Sequence, residues 1–298
     1  MTEQAVGTYE GENIVFVVGS PRSGTTWLQR LLASHPRVRT GQESDVFRYI
    51  SPQIRTWRNH LESKRSGRGG IGLPCYFKED EFMCLVHRYM LDLLQPMLDE
   101  LEPGQIFLEK TPSHSLHLTE IAAMLPQSRI VHILRDPRDV AASLIAASRT
   151  WGNRWAPGTA RRAAHMWMQH VRPAREAARW LPQERFLEIR YEDLRHSSVE
   201  TLWAVSRFLG LEWDAGQIDQ AVAENDAENM RKGGGTKIPV GGEFQSISGP
   251  LVKDPAGFVR RAQPGGWKDD LSSWEKFQVW FVARRLMVEV GYPWLLPR

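Results

Sequence analysis

The chain has 298 residues, of which 42% are hydrophobic and 24% charged, a composition that suits one large globular α/β domain and rules out a disordered or fibrous class. A net charge of +3 is too small to argue for nucleic acid, and there is no run of 18 apolar residues to span a membrane. The two cysteines, Cys75 and Cys84, make neither a disulfide framework nor a metal signature. Residues 1–12 lack the apolar stretch of a signal peptide, so the expected location is cytoplasmic. Eight of the 38 basic residues are lysine; arginine, whose planar fork suits oxyanions, carries nearly all the positive charge.

The first element organises the rest. Ile14 to Val18 is a β-branched, apolar run that predicts a buried strand of a parallel sheet, and it breaks at Gly19-Ser20-Pro21-Arg22-Ser23-Gly24. From Thr25 the chain resumes with helical spacing through Leu28, Leu31 and Leu32. A strand, a glycine-bounded turn and a helix N-terminus make an anion site of backbone N–H groups and helix dipole. Gly19 and Gly24 have Walker A spacing, but Thr25 stands where that motif needs its lysine. Arg22 inside the loop and the hydroxyls of Thr25 and Thr26 suit a metal-free anion better than a magnesium triphosphate. The indole of Trp27 offers a face on which a base could stack; its alternative is the core.

PRSGTTW resembles the 5′-phosphosulfate loop of the sulfotransferases that use 3′-phosphoadenosine-5′-phosphosulfate (PAPS), in the arginine form found in tyrosylprotein sulfotransferases and many bacterial members. The resemblance implies that Arg22, Ser23, Gly24, Thr25, Thr26 and Trp27 bind the donor, with Arg22 also catalytic in stabilising the negative charge that spreads during transfer. Glu43, in VRTGQES, lies 21 residues beyond Arg22, the separation at which the tyrosylprotein enzymes carry their catalytic base. An acceptor hydroxyl must lose its proton as it attacks, and a carboxylate can take it. Without that resemblance, Glu43 reads as a solvated loop carboxylate.

Residues 51–78 are rich in Arg, Gly and Ser with little apolar period, and read as a mobile loop over the acceptor site or an idle insertion. Glu79 to Leu101 predicts an amphipathic helix with Phe82, Leu85, Val86, Tyr89, Leu93, Met97 and Leu101 on one face, kinked or divided at Pro96. A short strand, Gln105 to Leu108, leads to Lys110 at the edge where open α/β sheets bind ligands. Lys110 precedes Arg135 by 25 residues, which resembles the placing of the catalytic lysine in the tyrosylprotein enzymes. His114 is the second choice for the base, since Pro112 stands where cytosolic sulfotransferases carry a histidine; its alternative, and preferred, role is a packed or solvated histidine.

Arg129 to Leu134 predicts a third strand, and RDPRDVAAS after it resembles the family's 3′-phosphate motif, implying that Arg135 and Ser143 share that phosphate. Trp151 and Trp155 are candidates for the wall of an acceptor pocket. A helix follows from about Thr159 to Trp180, then a fourth strand from Phe186 to Ile189. YEDL resembles a segment whose tyrosine contacts adenine, which puts Tyr191 opposite Trp27 across the base. Residues 229–255 are Gly-rich and read as a second mobile loop over the active site. FVRRAQPGGWK resembles the late 3′-phosphate motif, with Arg260 and Arg261 as its cations; Ala262 replaces a glycine there, and alanine disfavours positive φ. Leu271 to Val290 predicts a terminal amphipathic helix.

The expected architecture is a single α/β domain over residues 1–298, a parallel sheet with helices on both faces, related to the P-loop kinases. The resemblance implies a metal-independent transfer from PAPS to a hydroxyl of a small-molecule acceptor, with no nucleic acid and no membrane span. A small-molecule kinase and a non-catalytic nucleotide-binding protein are the alternatives. Acceptor identity and oligomeric state are open.

Overall fold

The structure is a computed structural model that describes residues 9–67, 69–238, 255 and 257–294. Strand β1 (Ile14–Gly19) is buried along its whole length because both sides of it carry branched apolar residues. Then come α1 (Thr25–Ala33), β2 (Val38–Thr40), α2 (Val46–Arg65), α3 (Glu79–Leu98) and β3 (Ile106–Lys110). The chain continues with α4 (Leu118–Met124), β4 (Arg129–Leu134), α5 (Pro137–Ser148), α6 (Ala160–Trp180) and β5 (Phe186–Arg190). Helices α7 (Tyr191–His196), α8 (Ser198–Leu209), α9 (Ala215–Glu224), α10 (Ala227–Arg231), α11 (Trp267–Asp270) and α12 (Ser273–Glu289) complete it.

The strands form one sheet in the order β2-β3-β1-β4-β5, every pair parallel. The chain leaves β1 toward β3 and β2, then crosses to β4 and β5, so its direction of winding switches at β1. The crevice at the carboxyl ends of the strands beside such a switch is where open α/β sheets bind ligands. In register, Val17 of β1 pairs with Lys110, and Gly19 with Ile133. Lys110 and the turn after β1 therefore lie on the same edge.

Both faces of the sheet are covered, as expected. Val15 and Val17 pack under α1, α8 and α9, while Ile14, Phe16 and Val18 pack under α2, α3 and α4. The fully buried Leu28, Leu31 and Leu32 hold α1 in place, each contributing roughly 1.5–3 kcal/mol of apolar burial. A third cluster, from Leu134 through Trp167 to Met287, joins α5, α6 and α12.

Three expectations are corrected and one element is added. Residues 51–65 are helical, not a loop: Ile50, Ile54 and Trp57 continue the apolar period begun at Val46 and Phe47, and Trp57 stacks on Phe82 of α3 with ring centroids 4.1 Å apart. The described residues of 66–78 are irregular, with a 3-10 turn at Leu73–Cys75. In α3 the buried stripe is Phe82, Val86, Met90 and Leu94, spaced strictly by four; Leu85, Tyr89 and Leu93 are exposed. The helix carries more apolar surface than its neighbours cover, so pattern alone chose the wrong edge of the stripe. The three-residue strand β2, at the sheet edge, is an element that the sequence reading lacks. Finally, α12 is not cleanly amphipathic: Trp274, Phe277, Phe281 and Val288 are exposed opposite Val279, Ala283 and Leu286. The second expected loop, 229–255, begins inside α10, and residues 239–254 lie outside those described.

Two histidines whose pKa values are lowered by burial should make the fold acid-sensitive. His170 of α6, with Nδ1 2.7 Å from Ser115 Oγ, has its pKa lowered from 6.5 to about 4, first by burial. His117 is lowered to about 4 as well, by burial and then by the Arg55 guanidinium. A folded-state pKa below the unfolded one means stability that is present above about pH 6.5 and lost as pH falls toward 4. At about 1.4 kcal/mol per pKa unit, titration of His170 removes on the order of 3 kcal/mol. The Tm should fall between pH 7 and pH 4.5, and His170→Asn should narrow that fall. An unchanged difference would refute the assignment.

Candidate active site

The turn after β1 closes with the Ser23 amide donating to the Ser20 carbonyl at 3.0 Å, and it delivers the chain to the N-terminus of α1. Arg22 and Gly24 both adopt left-handed backbone, at φ 72° and 99°. Gly24 is the N-cap residue and no side chain caps the helix. The leading amides of α1 thus remain available to an anion. Gly24 is required twice over, because a Cβ there would sit 2.5 Å from Tyr191 Cδ2 at a φ that L-residues avoid. Gly24→Ala should weaken nucleotide binding at least tenfold by displacing Tyr191; calorimetric titration that finds wild-type affinity would contradict this placement.

An open cleft lies beside this turn, lined by Arg22, Gly24, Thr25, Thr26 and Trp27 on one side. Arg135 and Ser143 line it as well, as do Tyr191, Arg260 and Arg261. Every predicted donor-binding residue except Ser23 therefore borders one cavity, and Ser23 sits within the turn itself. Two buried donors, Ser23 Oγ and Arg135 Nε, make no hydrogen bond among the described residues. Buried polar groups without partners are costly, and donors of this kind beside a cationic cleft fit an anionic ligand.

The internal arrangement differs from expectation in several respects. Ser143 borders the cleft with Arg135, and it accepts from Arg22 Nε at 3.0 Å; Arg22 also donates to the Phe258 carbonyl. The Arg22 guanidinium lies 4.6 Å from the Phe258 ring and 5.2 Å from that of Trp151. Arg135 instead donates from Nη1 to the Arg22 carbonyl at 3.0 Å and lies over the Tyr191 ring at 4.0 Å. Trp27 and Tyr191 do not stand apart with room for a base. Their centroids are 5.8 Å apart at 66°, whereas two rings sandwiching a base need about 7 Å of separation. Trp27 is 8% exposed, with its Nε1 donating to the Asn225 carbonyl at 2.9 Å and Arg195 over its ring.

The late arginines are paired within their own segment. Arg260 bonds Asp270 at 2.6 Å, and Arg261 reaches Asp269 at 3.0 Å and Asp270 at 3.2 Å. Ala262 holds φ 55°, the glycine-like conformation its position in the motif suggests, and its carbonyl accepts from the Tyr191 hydroxyl at 3.0 Å. Asp139 is a residue that the sequence reading missed. Its carboxylate accepts from the Gly265 amide at 2.7 Å and the Trp267 amide at 2.9 Å, fixing this segment against α5. Burial pushes the Asp139 carboxyl upward, while Arg135 and these amides pull it down. A carboxylate on the wall of an anion cleft makes sense as a backbone anchor, not as a ligand contact.

At the carboxyl end of β3, Lys110 forms an ion pair with Glu43. Lys110 is buried, and the Glu43 side chain is 48% exposed. The two residues chosen from distant motifs thus meet, one sheltered and one open to solvent. His114 does not join them. It is completely enclosed (0% exposed), with Phe16 and Phe47 against its ring and Glu109 Oε2 2.9 Å from its Nδ1. A base for a bound alcohol needs an accessible nitrogen, so His114 is corrected to a structural residue. Glu109 itself would be raised by burial; His114 and the hydroxyls of Ser44 and Thr111 outweigh that and bring it to about 2. Among the described residues, no group of three or more His, Cys, Asp or Glu side chains could hold a metal ion.

A parallel sheet with a glycine-bounded anion turn at its switch point, a cationic cleft beside it and a lysine–carboxylate pair on the same edge defines an anion-binding α/β protein of the mononucleotide-binding type. A profile of the sulfotransferase family matches residues 14–215, more than half of the chain, and the chain belongs to that family. Among curated proteins it is similar to protein-tyrosine sulfotransferase 1 of Danio rerio, 26% identical over 76% of this chain and 59% of that protein. It is also similar to protein-tyrosine sulfotransferase 2 of Gallus gallus, 23% identical over 67% of this chain and 52% of that one. The chain spans about half the length of the curated relatives it matches. In fold it resembles a mouse sulfotransferase solved with PAP, at a TM-score of 0.58 and 16% identity over 94% of this chain and 86% of that one. The sulfotransferase domain of a Synechococcus olefin synthase gives 0.55 and 18% over 92% and 94%.

Proposed function

We propose that the protein transfers a sulfuryl group from PAPS to the hydroxyl of an alcohol or phenol without a metal ion. The observation that carries this is the Lys110–Glu43 pair at the strand edge next to the anion turn. Glu43 takes the proton of the acceptor hydroxyl as its oxygen bonds to sulfur. The bond from sulfur to the bridging phosphate oxygen breaks, and adenosine 3′,5′-bisphosphate (PAP) leaves. Lys110, Thr25, Thr26 and the amides of α1 stabilise the charge that gathers on the sulfuryl and bridging oxygens. Arg135, Arg260 and Arg261 are suited to the 3′-phosphate: a guanidinium fork meets two of its oxygens at once. The PAP in a structure of the same fold supports this donor. Arg22, as placed, spans both ends: its backbone shapes the turn, and its guanidinium reaches Ser143.

The acceptor class proposed first is a small-molecule hydroxyl. A protein tyrosine is the second reading, favoured by the sequence similarity to protein-tyrosine sulfotransferases. Single-turnover transfer from ³⁵S-labelled PAPS in excess EDTA, offered a panel of phenols, alcohols and tyrosine peptides, tests both. Label on any of them supports the transfer and selects the acceptor class. Transfer that appears only when magnesium and ATP are supplied would overturn it.

A further inference from the structure

Resting on the reading above, we infer that Glu109 is a positioning residue that sets Glu43 against Lys110. Successive side chains of a strand point to opposite faces, so Glu109 and Lys110 leave the end of β3 in opposite directions. The segment that carries Glu43 straddles that end. Glu43 pairs with Lys110 on one side, and the next residue, Ser44, is held by Glu109 on the other. Glu109 Oε1 accepts from the Ser44 amide at 3.0 Å, the Ser44 hydroxyl at 2.6 Å and the Thr111 hydroxyl at 2.7 Å. Oε2 lies 2.9 Å from His114 Nδ1, and His114 Nε2 accepts from the Phe47 amide at 3.4 Å, just inside α2.

The same segment is pinned at both neighbouring points. The Gln29 side-chain amide donates to the Gly41 carbonyl at 2.9 Å and to Thr40 Oγ1 at 2.8 Å. The Asp45 amide donates to Thr111 Oγ1 at 3.3 Å, and Asp45 Oδ1 accepts from Ser113 at 2.8 Å. Glu109 is the fully enclosed carboxylate among these anchors, and charge-assisted hydrogen bonds are about twice as strong as neutral ones. It is 1% exposed and cannot touch an acceptor. Its effect on chemistry therefore runs through the placement of Glu43, where an ångström of misplacement can cost about 10²-fold in rate.

Two measurements test this on the full chain. Amide hydrogen exchange at Ser44 should quicken tenfold or more in Glu109→Gln, and in the milder Ser44→Ala the Asp45 amide should quicken likewise, while β1 and β4 keep wild-type protection. Single-turnover transfer from PAPS to 4-nitrophenol should slow at least tenfold in Glu109→Gln, with PAP affinity within about twofold of wild type. In the Glu43→Gln background, Glu109→Gln should then add less than twofold, because the group it positions is gone. A purely structural role would make the two losses multiply, and that outcome, or unchanged Ser44 exchange, overturns the inference. If Glu43→Gln alone transfers at the wild-type rate, or wild type transfers nothing, it is the proposed base or reaction that fails. The exchange data then decide the anchoring by themselves.

Discussion

Lys110→Ala is expected to slow sulfuryl transfer by about 10²- to 10³-fold while leaving PAP affinity within about threefold of wild type. The asymmetry follows from where the side chain sits. Lys110 is buried at the end of β3, its ammonium held by Glu43, and it is not among the residues that line the nucleotide cleft. A group that meets charge only as the S–O bond breaks contributes to the transition state and little to the ground state, so its loss appears in kcat. Losing a single preorganised donor of this kind costs about 10²–10³ in rate. Lys110→Arg should not restore the activity, since a longer planar fork cannot occupy the same enclosed point. Glu43→Gln is expected to lose roughly 10² or more by removing the proton acceptor. A Lys110→Ala variant whose defect lies wholly in PAP affinity would reject the role assigned to it.

The largest expected effect on stability lies away from the chemistry. Arg138 is completely buried near the start of α5, and its guanidinium engages both oxygens of Asp136, at 2.9, 3.2 and 2.6 Å. Its remaining nitrogen reaches the carbonyls of Pro293 at 3.2 Å and Trp294 at 3.0 Å, and its plane lies 4.0 Å from the Trp267 ring. Asp136 in turn caps α5, and its amide donates to Glu192, which also accepts from the Tyr292 hydroxyl. Arg138→Met would strand a buried carboxylate and two carbonyls together. A buried pair adds little net stability over apolar residues, but breaking one costs about 3–5 kcal/mol because the surviving charge is left without its counter-ion. For a domain of this size that corresponds to a Tm lower by about 10 °C. Arg138→Lys should fall between, keeping the charge and losing the fork. A melting curve for Arg138→Met within about 2 °C of wild type would show that the network relaxes freely.

Much of the sheet and the donor cleft could be read from the residues, and the reason is local. A strand, its turn and the helix after it are written in one contiguous stretch, as at Ile14–Leu32 and again at Arg129–Ser143. Asp136-Pro137 starts a helix by side-chain cap and fixed φ, whatever surrounds it. The misreadings arise where tertiary contact decides. Nothing local says that Phe258, more than a hundred residues away from Ser143, closes over Arg22, or that Ser143 accepts from the Arg22 guanidinium. Trp27 and Tyr191 were both legible as aromatic neighbours of the cleft. Their direct contact depends on Gly24, whose missing Cβ lets Tyr191 approach. Glu109 and Asp139 went unnoticed because a carboxylate in sequence looks solvated, and only burial against backbone and hydroxyl donors reveals an anchor. His114 shows the reverse. A histidine close to Lys110 in sequence offers itself as a base beside its alternative as a packed side chain, and complete enclosure leaves it the second role.

The central claim is a PAPS site, and calorimetric binding of PAP tests it most directly, run beside ATP with magnesium on wild type and Arg135→Ala. Tight binding of PAP without magnesium, weakened tenfold or more in Arg135→Ala, is the predicted result, because the guanidinium at the end of β4 is assigned to the phosphate that distinguishes PAP from other adenine nucleotides. Preference for ATP with magnesium, or PAP affinity indifferent to Arg135, would contradict the account and point to a kinase built on the same sheet.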